Sequence, residues 1–184
     1  MLENLLTLDG ALLLGLQDLR TPILNALISF YTQLGNAGLV WIVLSAVLLL
    51  HPRTRKAGFW ALIAMLFGLL FTNVLLKHLV ARTRPWLVVE GLTALVEERD
   101  PNSFPSGHTC AAFACCLTWA RFAARRWVKV LCLVLAVLMG LSRLYVGVHF
   151  PSDVIAGCAV GCFCAFLAWA VQRKAEGIGR GRKA

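Results

Sequence analysis

Residues 58–80, GFWALIAMLFGLLFTNVLLKHLV, decide the fold class. The run carries no charge before Lys77, and as a helix rising 1.5 Å per residue it reaches about 34 Å. A hydrocarbon core of roughly 30 Å takes about 20 such residues. Strand-like alternation is absent, which points to helices rather than a barrel. The whole chain agrees: 59% of its 184 residues are hydrophobic and 15% charged, with a mean hydropathy of +0.76. That is too apolar for a soluble domain of this size, so the sequence is read as an integral membrane protein of the all-α class, a polytopic helix bundle.

Outward from this run, further apolar stretches follow in both directions. Upstream, Pro22 opens a helix over 22–34, the Gly35-Asn36-Ala37-Gly38 turn ends it, and 39–50 make another span that stops at HPRTRK. Downstream, 105–122, 130–148 and 151–171 complete six expected transmembrane helices. Residues 81–104 form the one long polar loop, and 173–184 a basic tail. Residues 1–20 are Leu-rich but broken by Glu3, Asp9, Gln17, Asp18 and Arg20, so an N-terminal interfacial amphipathic helix is expected. They lack the basic start and small-residue cleavage site of a signal peptide. One domain, 1–184, accounts for the chain.

The net charge of +9 follows from topology. With both termini cytoplasmic, Arg20, Arg53, Arg55, Lys56, Arg121, Arg125, Arg126, Lys129, Arg173, Lys174, Arg180, Arg182 and Lys183 fall inside, 13 of the 18 basic residues. Lys77, Arg82, Arg84, Arg99 and Arg143 remain outside. No aromatic-interleaved basic face is present, so nucleic acid is not an expected partner. The seven cysteines lie in the apolar helices as small packing residues, with no disulfide or metal spacing.

The outer cations mark the chemistry. Lys77 and Arg84-Pro85 close one span, Pro105-Ser106-Gly107-His108 opens the next, Ser142-Arg143 closes another, and His149 with Asp153 opens the last. All four ends face one side. An imidazole four residues ahead of a carboxylate has one nitrogen held and the other free to attack or accept a proton. Helix N-termini, a Ser-Gly turn and fixed cations suit a phosphate-sized oxyanion. Each part has a blander reading: a helix-end ion pair for His149 and Asp153, snorkelling for Lys77 and Arg84, a capped helix start for PSGH. Their convergence on one side is what argues for a site.

Lys77-x6-Arg84-Pro85, Pro105-Ser106-Gly107-His108 and Ser142-Arg143-x5-His149-x3-Asp153 together resemble the three-part signature of the type-2 phosphatidic acid phosphatase superfamily, and the layout is similar to its small bacterial membrane members. The resemblance implies catalytic roles for His149 as nucleophile, Asp153 as its orienting partner and His108 as the acid for the leaving oxygen. It implies phosphate binding by Lys77, Arg84, Ser106, Gly107 and Arg143. It also implies a bacterial plasma-membrane phosphatase whose site faces outward and whose partners are the bilayer and a lipid phosphate or diphosphate. Attack by neutral His149 on phosphorus gives a phosphohistidine, with the cations stabilising the equatorial oxygens. No metal or other cofactor is expected, because a dication among three cations is repelled.

A polyprenyl diphosphate is the favoured substrate, since little chain lies outside the helices to build a headgroup pocket; phosphatidylglycerol phosphate and phosphatidate are the alternatives. A serine hydrolase built on Ser106 or Ser142 lacks the GxSxG elbow and leaves the cations without a purpose. A non-catalytic lipid-binding or transport protein explains the cations but not two histidines, one with a carboxylate partner.

Overall fold

The computed structural model describes residues 2–181 and is helical nearly throughout, with no strand among those residues. Met1 of the N-terminal segment and residues 182–184 of the expected tail lie outside the described residues. In chain order the helices are α1 (Leu2–Asp18), α2 (Pro22–Leu34), α3 (Leu39–Leu49), and α4 (Arg55–Leu69), which passes through a π-helical stretch (Leu70–Leu76) into α5 (Lys77–Val80). The short α6 (Pro85–Val88) lies in the polar loop, followed by α7 (Gly107–Phe122), α8 (Arg126–Tyr145) and α9 (Pro151–Gly181). Thr21 caps α2 by accepting from the Leu24 N–H, with Pro22 in the first turn where its missing N–H costs nothing. Ser106 caps α7 in the same way through Thr109 N.

Arg55–Val80, Arg126–Tyr145 and Pro151–Gly177 are each long and apolar enough to cross a bilayer. The reading of 22–34 and 39–50 as two spans gives way to a different geometry. Pro22–Leu34 and Asn36–Leu49 run on from one another across a 48° bend and reach that length only as a pair. Alone, α2 and α3 are about 20 and 17 Å long, short of the roughly 30 Å needed. The bend takes two successive left-handed residues, Ala37 at φ 51° and Gly38 at φ 71°.

The bent pair changes where the N-terminal segment lies. Arg20 donates to the carbonyls of Tyr145 and Thr93, and Gln17 to that of Gly91. Asp9 pairs with Arg82, and Leu13 packs with Leu92 and Phe150. Residues 9–20 therefore sit at the end of the bundle that carries Lys77 and His149. Arg20 belongs with that end, not with Arg53 at the other, because α2 and α3 run from the first end to the second as one unit. The expected basic tail also differs: α9 stays helical through residue 181, held by Arg121 to Gln172 at 2.9 Å and Lys56 to Glu176 at 2.9 Å.

Small residues set the packing. In lipid, helices gain no hydrophobic free energy by meeting, so close backbone approach and dispersion must hold them. α7 is the central helix, packed on α4, α8 and α9. Buried Ala57, Ala61, Ala64 and Gly68 form a stripe along α4. On α9, Gly157 and Gly161 lie so close to α7 that a Cβ would come within 2.5 Å of Ser106 O and 2.6 Å of Cys110 O. This contact clamps the start of α9 to the start of α7. All seven cysteines are unpaired.

The arrangement predicts which positions share a side. Cysteines introduced singly at exposed Leu19 and Glu97 should react together with a membrane-impermeant maleimide, in intact cells or in inverted vesicles. A cysteine at Arg53 should react only in the opposite preparation, with the wild-type chain controlling for native thiols. Leu19 reacting with Arg53 would refute the bent pair.

Candidate active site

Four chain segments meet where the helices α5 and α8 end and α7 and α9 begin. The π-helical stretch ahead of α5, a distortion that often accompanies function, delivers Asn73 and Lys77 to a cavity of about 290 Å³. Lys77, Arg84, Gly107, His108 and His149 line that cavity together with Glu98. The backbone of Ser106 donates to Asp153 O at 3.1 Å, tying two of the motifs directly.

His149 lies in the turn between α8 and α9 and is almost wholly buried. Arg84 Nη1 is 3.1 Å from His149 Nε2. A guanidinium can only donate, so Nε2 presents its lone pair and the ring proton sits on Nδ1. Nδ1 faces Asp153 Oδ2 at 3.7 Å and has no hydrogen-bond partner closer. Burial first, then the charges of Arg143, Arg84 and Lys77, hold the His149 imidazole well below its usual pKa. The ring is thus neutral near pH 7, with its Nε2 electron pair turned toward Arg84.

His108, in the first turn of α7, has Nε2 3.0 Å from Asn36 Oδ1 in the α2–α3 bend. The amide oxygen accepts, so Nε2 carries a proton and Nδ1 is where a second is gained or lost. Gly35 permits this approach: a Cβ there would stand 2.8 Å from His108 Cδ2. Neither Asn36 nor Gly35 is distinguishable by sequence from an ordinary turn residue.

The cations are already occupied by carboxylates of the polar loop. Glu98 bridges Arg143 Nη2 and Arg84 Nη2, the latter at 3.4 Å. Asp100 lies 2.5 Å from Lys77 Nζ, and its carbonyl accepts from Arg84 Nε at 3.0 Å. Arg143 is fully buried beneath Glu98, with Thr32 of α2 on its other side at 2.7 Å. The clamp thus binds oxygen anions supplied by the chain itself. The acidic run Glu97-Glu98-x-Asp100 shortly before Pro105 was the available signal for it.

Two expected residues are placed otherwise. The Ser106 hydroxyl is buried and engaged with Thr109 N and Oγ1, so it caps α7 instead of lining the cavity, and Arg143 reaches the cavity only if Glu98 moves. Sequence reading gave no role to Arg82, which donates to Asp153 Oδ1 at 2.7 Å.

A family model described as the PAP2 superfamily matches residues 57–176. An undecaprenyl-diphosphatase of Sulfolobus acidocaldarius is 34% identical over 149 residues, 81% of this chain and 71% of its own length. Phosphatidylglycerophosphatase B of Bacillus subtilis is 31% identical over 162 residues, 81% of this chain and 75% of its own. The crystal structure of a transmembrane PAP2-type phosphatidylglycerolphosphate phosphatase from Bacillus subtilis superposes with a TM-score of 0.77 at 30% identity, covering 91% of this chain and 86% of that one.

Occupancy of the clamp by Glu98 predicts competition. Glu98→Gln should strengthen inhibition by orthovanadate about tenfold, the scale of one charge-assisted hydrogen bond. The half-inhibitory concentration measures it. Weaker inhibition would mean that Glu98 holds the clamp together instead of competing for it.

Proposed function

The chain belongs to the PAP2 superfamily, and from that premise we propose that it hydrolyses a polyprenyl diphosphate in the membrane, without a metal, through a phosphohistidine on His149. That it is a phosphatase of the membrane-lipid kind follows from the family. The observation carrying the mechanism is the direction of the His149 Nε2 lone pair, toward Arg84 in the cation-lined cavity while Nδ1 faces Asp153.

Neutral His149 attacks phosphorus in line through Nε2, and the P–O bond to the lipid phosphate breaks. Lys77, Arg84 and Arg143 stabilise charge on the equatorial oxygens once Glu98 and Asp100 have yielded them, and the Gly107 N–H at the α7 start adds to this. His108 gives its proton to the leaving oxygen. It then takes one from the water that attacks the phosphohistidine, releasing phosphate and restoring neutral His149. Asp153 stabilises the positive imidazole of the intermediate.

The lining of the cavity supports a slender lipid. Beside the polar groups it is lined by Gly35, Ala37, Gly38, Gly68 and Ala111 together with Met65, Cys110 and Leu69, the last 51% exposed. A narrow lining made mostly of small side chains accepts one lipid chain more readily than two acyl chains side by side. Phosphatidylglycerol phosphate is the second reading, favoured by the structural match to the Bacillus phosphatase.

Orientation follows from charge. With Arg20 at the His149 end, that end holds Arg20, Lys77, Arg82, Arg84, Arg99 and Arg143, six basic residues, against ten among the described residues at the other. The site then faces outward, the segment after α9 lies in the cytoplasm, and α1 lies on the outer surface. The bent α2–α3 pair, α4–α5, α7, α8 and α9 make five crossings.

His149→Ala should lose at least about three powers of ten in turnover, while chelator leaves the wild type active; strict dependence on an added divalent ion would refute the metal-free route. A diphosphate expels a lipid phosphate, a better leaving group than an alkoxide, and needs less protonation by His108. His108→Ala should therefore lose fewer powers of ten in kcat/KM on a polyprenyl diphosphate than on phosphatidate. A wild-type kcat/KM higher for phosphatidylglycerol phosphate than for the diphosphate would overturn the substrate and leave the mechanism standing.

A further inference from the structure

Behind His149, on the side away from the cavity, a second charged chain reaches the N-terminal helix. Asp153 is fully buried. Its Oδ2 accepts from Phe150 N at 2.9 Å, and its Oδ1 from Arg82 Nη1 at 2.7 Å. The same Nη1 donates to Ser152 Oγ at 2.6 Å, and the guanidinium carbon stands 3.9 Å above the Phe150 ring. The other arm, Nη2, donates to Asp9 Oδ2 at 3.0 Å. Asp9, on α1, is 4% exposed and also accepts from Ser152 Oγ. Arg82 does not line the cavity and touches none of the clamp carboxylates.

We propose that Arg82 and Asp9 are positioning residues for the hydrolysis: Arg82 holds Asp153 against His149, and Asp9 holds and neutralises Arg82, so that α1 is a working part of the site. The proposal rests on the reading of His149 as nucleophile. The geometry requires something of this kind. His149 Nδ1 and Asp153 Oδ2 are 3.7 Å apart, so the pair must close by about 0.8–1 Å to make a charge-assisted hydrogen bond as the imidazole gains charge. Asp153 can make that movement accurately only if its other oxygen is fixed. A guanidinium fork can grip two carboxylates at once, and its planar face rests on Phe150, the neighbour of His149 in the chain. Paired with Asp153 alone, Arg82 would cancel the negative charge that Asp153 presents to an imidazole which becomes positive in the intermediate. Asp9 offsets the charge of Arg82.

The proposal separates electrostatic action from mere support. The charged groups facing His149 are Lys77, Arg84, Glu98 and Asp100 from α5 and the loop, His108 from α7, Arg143 from α8 and Asp153 from α9; all remain in the variants. Arg82→Gln removes a cation, raises the proton affinity of His149, and moves the acidic limb of kcat/KM to higher pH. Asp9→Asn removes an anion and moves the limb to lower pH. Each shift should be about half a unit or more, read against wild type on one substrate. In both variants kcat should fall about ten- to a hundredfold, with KM within about threefold because the clamp is untouched. Arg82→Lys should restore the limb but not the full rate, since an ammonium cannot grip both carboxylates.

Purified Arg82→Gln, Arg82→Lys and Asp9→Asn proteins that remain monodisperse should be titrated beside His149→Ala. Opposite displacements for Arg82→Gln and Asp9→Asn support the proposal. Lower rates with unmoved limbs, or limbs moving together, overturn it and leave the nucleophile reading intact. If Arg82→Gln does not fold, Asp9→Asn alone decides: a lowered limb supports, an unmoved one refutes. Activity retained by His149→Ala would remove both readings.

Discussion

Buried positive charge is the constraint on which this end of the molecule depends. Arg84 and Arg143 are at most 1% exposed, and the side chains of Lys77 and Arg82 are 12% and 17% exposed. An ion taken out of water and left unpaired costs several kcal/mol. The structure sets four carboxylates, Asp9, Glu98, Asp100 and Asp153, against these four cations. The folding of the polar loop onto the bundle and the docking of α1 both supply those anions. Apolar contacts act beside them: Leu13 of α1 packs with Leu92 and Phe150, and Ala94, Leu95 and Val96 of the loop pack on Tyr145, Val146 and Val148.

The four carboxylates divide by what carries them. Asp9 and Asp153 stand on helices whose packing fixes them, Leu13 in one case and the glycine contact of α9 with α7 in the other. Glu98 and Asp100 stand on a loop without regular structure. On the proposed mechanism this division is functional. The loop anions can leave when a phosphoryl group arrives, because two carboxylates are exchanged for about two phosphate charges and the buried cations are never left bare. The helix anions stay, and with them the orientation of the nucleophile.

What could be read in the sequence was what is encoded locally. The apolar runs gave the membrane class, and the three motifs gave Lys77, Arg84, His108, Arg143, His149 and Asp153, because their spacing relative to span ends puts them on one side. Partners distant in the chain were not readable: Asp9 meets Arg82 across 73 residues and Ser152 across 143. Arg20 was misplaced for a related reason. Hydropathy finds apolar runs at 22–34 and 39–50 alike whether a turn reverses the chain or bends it by 48°; only the contacts of α2 with α8 tell the two apart, as when Tyr31 Oη donates to Leu135 O at 2.8 Å. The capping role of Ser106 was not readable because a capping serine and a phosphate-binding serine look the same in PSGH.

The length of α7 sets the depth of the chemistry. Its 16 residues make about 24 Å, several ångströms less than the hydrocarbon core. On the proposed orientation, with Arg121 of its last turn at the cytoplasmic surface, Gly107 and His108 lie below the outer one. A lipid phosphate held there has left bulk water, and its attraction to Arg84 and Arg143 is strengthened as the local dielectric falls. The same depth keeps His149 neutral by burial, so one geometric fact serves both the binding of the anion and the readiness of the nucleophile. On that reading a phosphate still attached to its lipid chain is reached past Leu69, which lines the cavity and is 51% exposed, with the chain left in the bilayer.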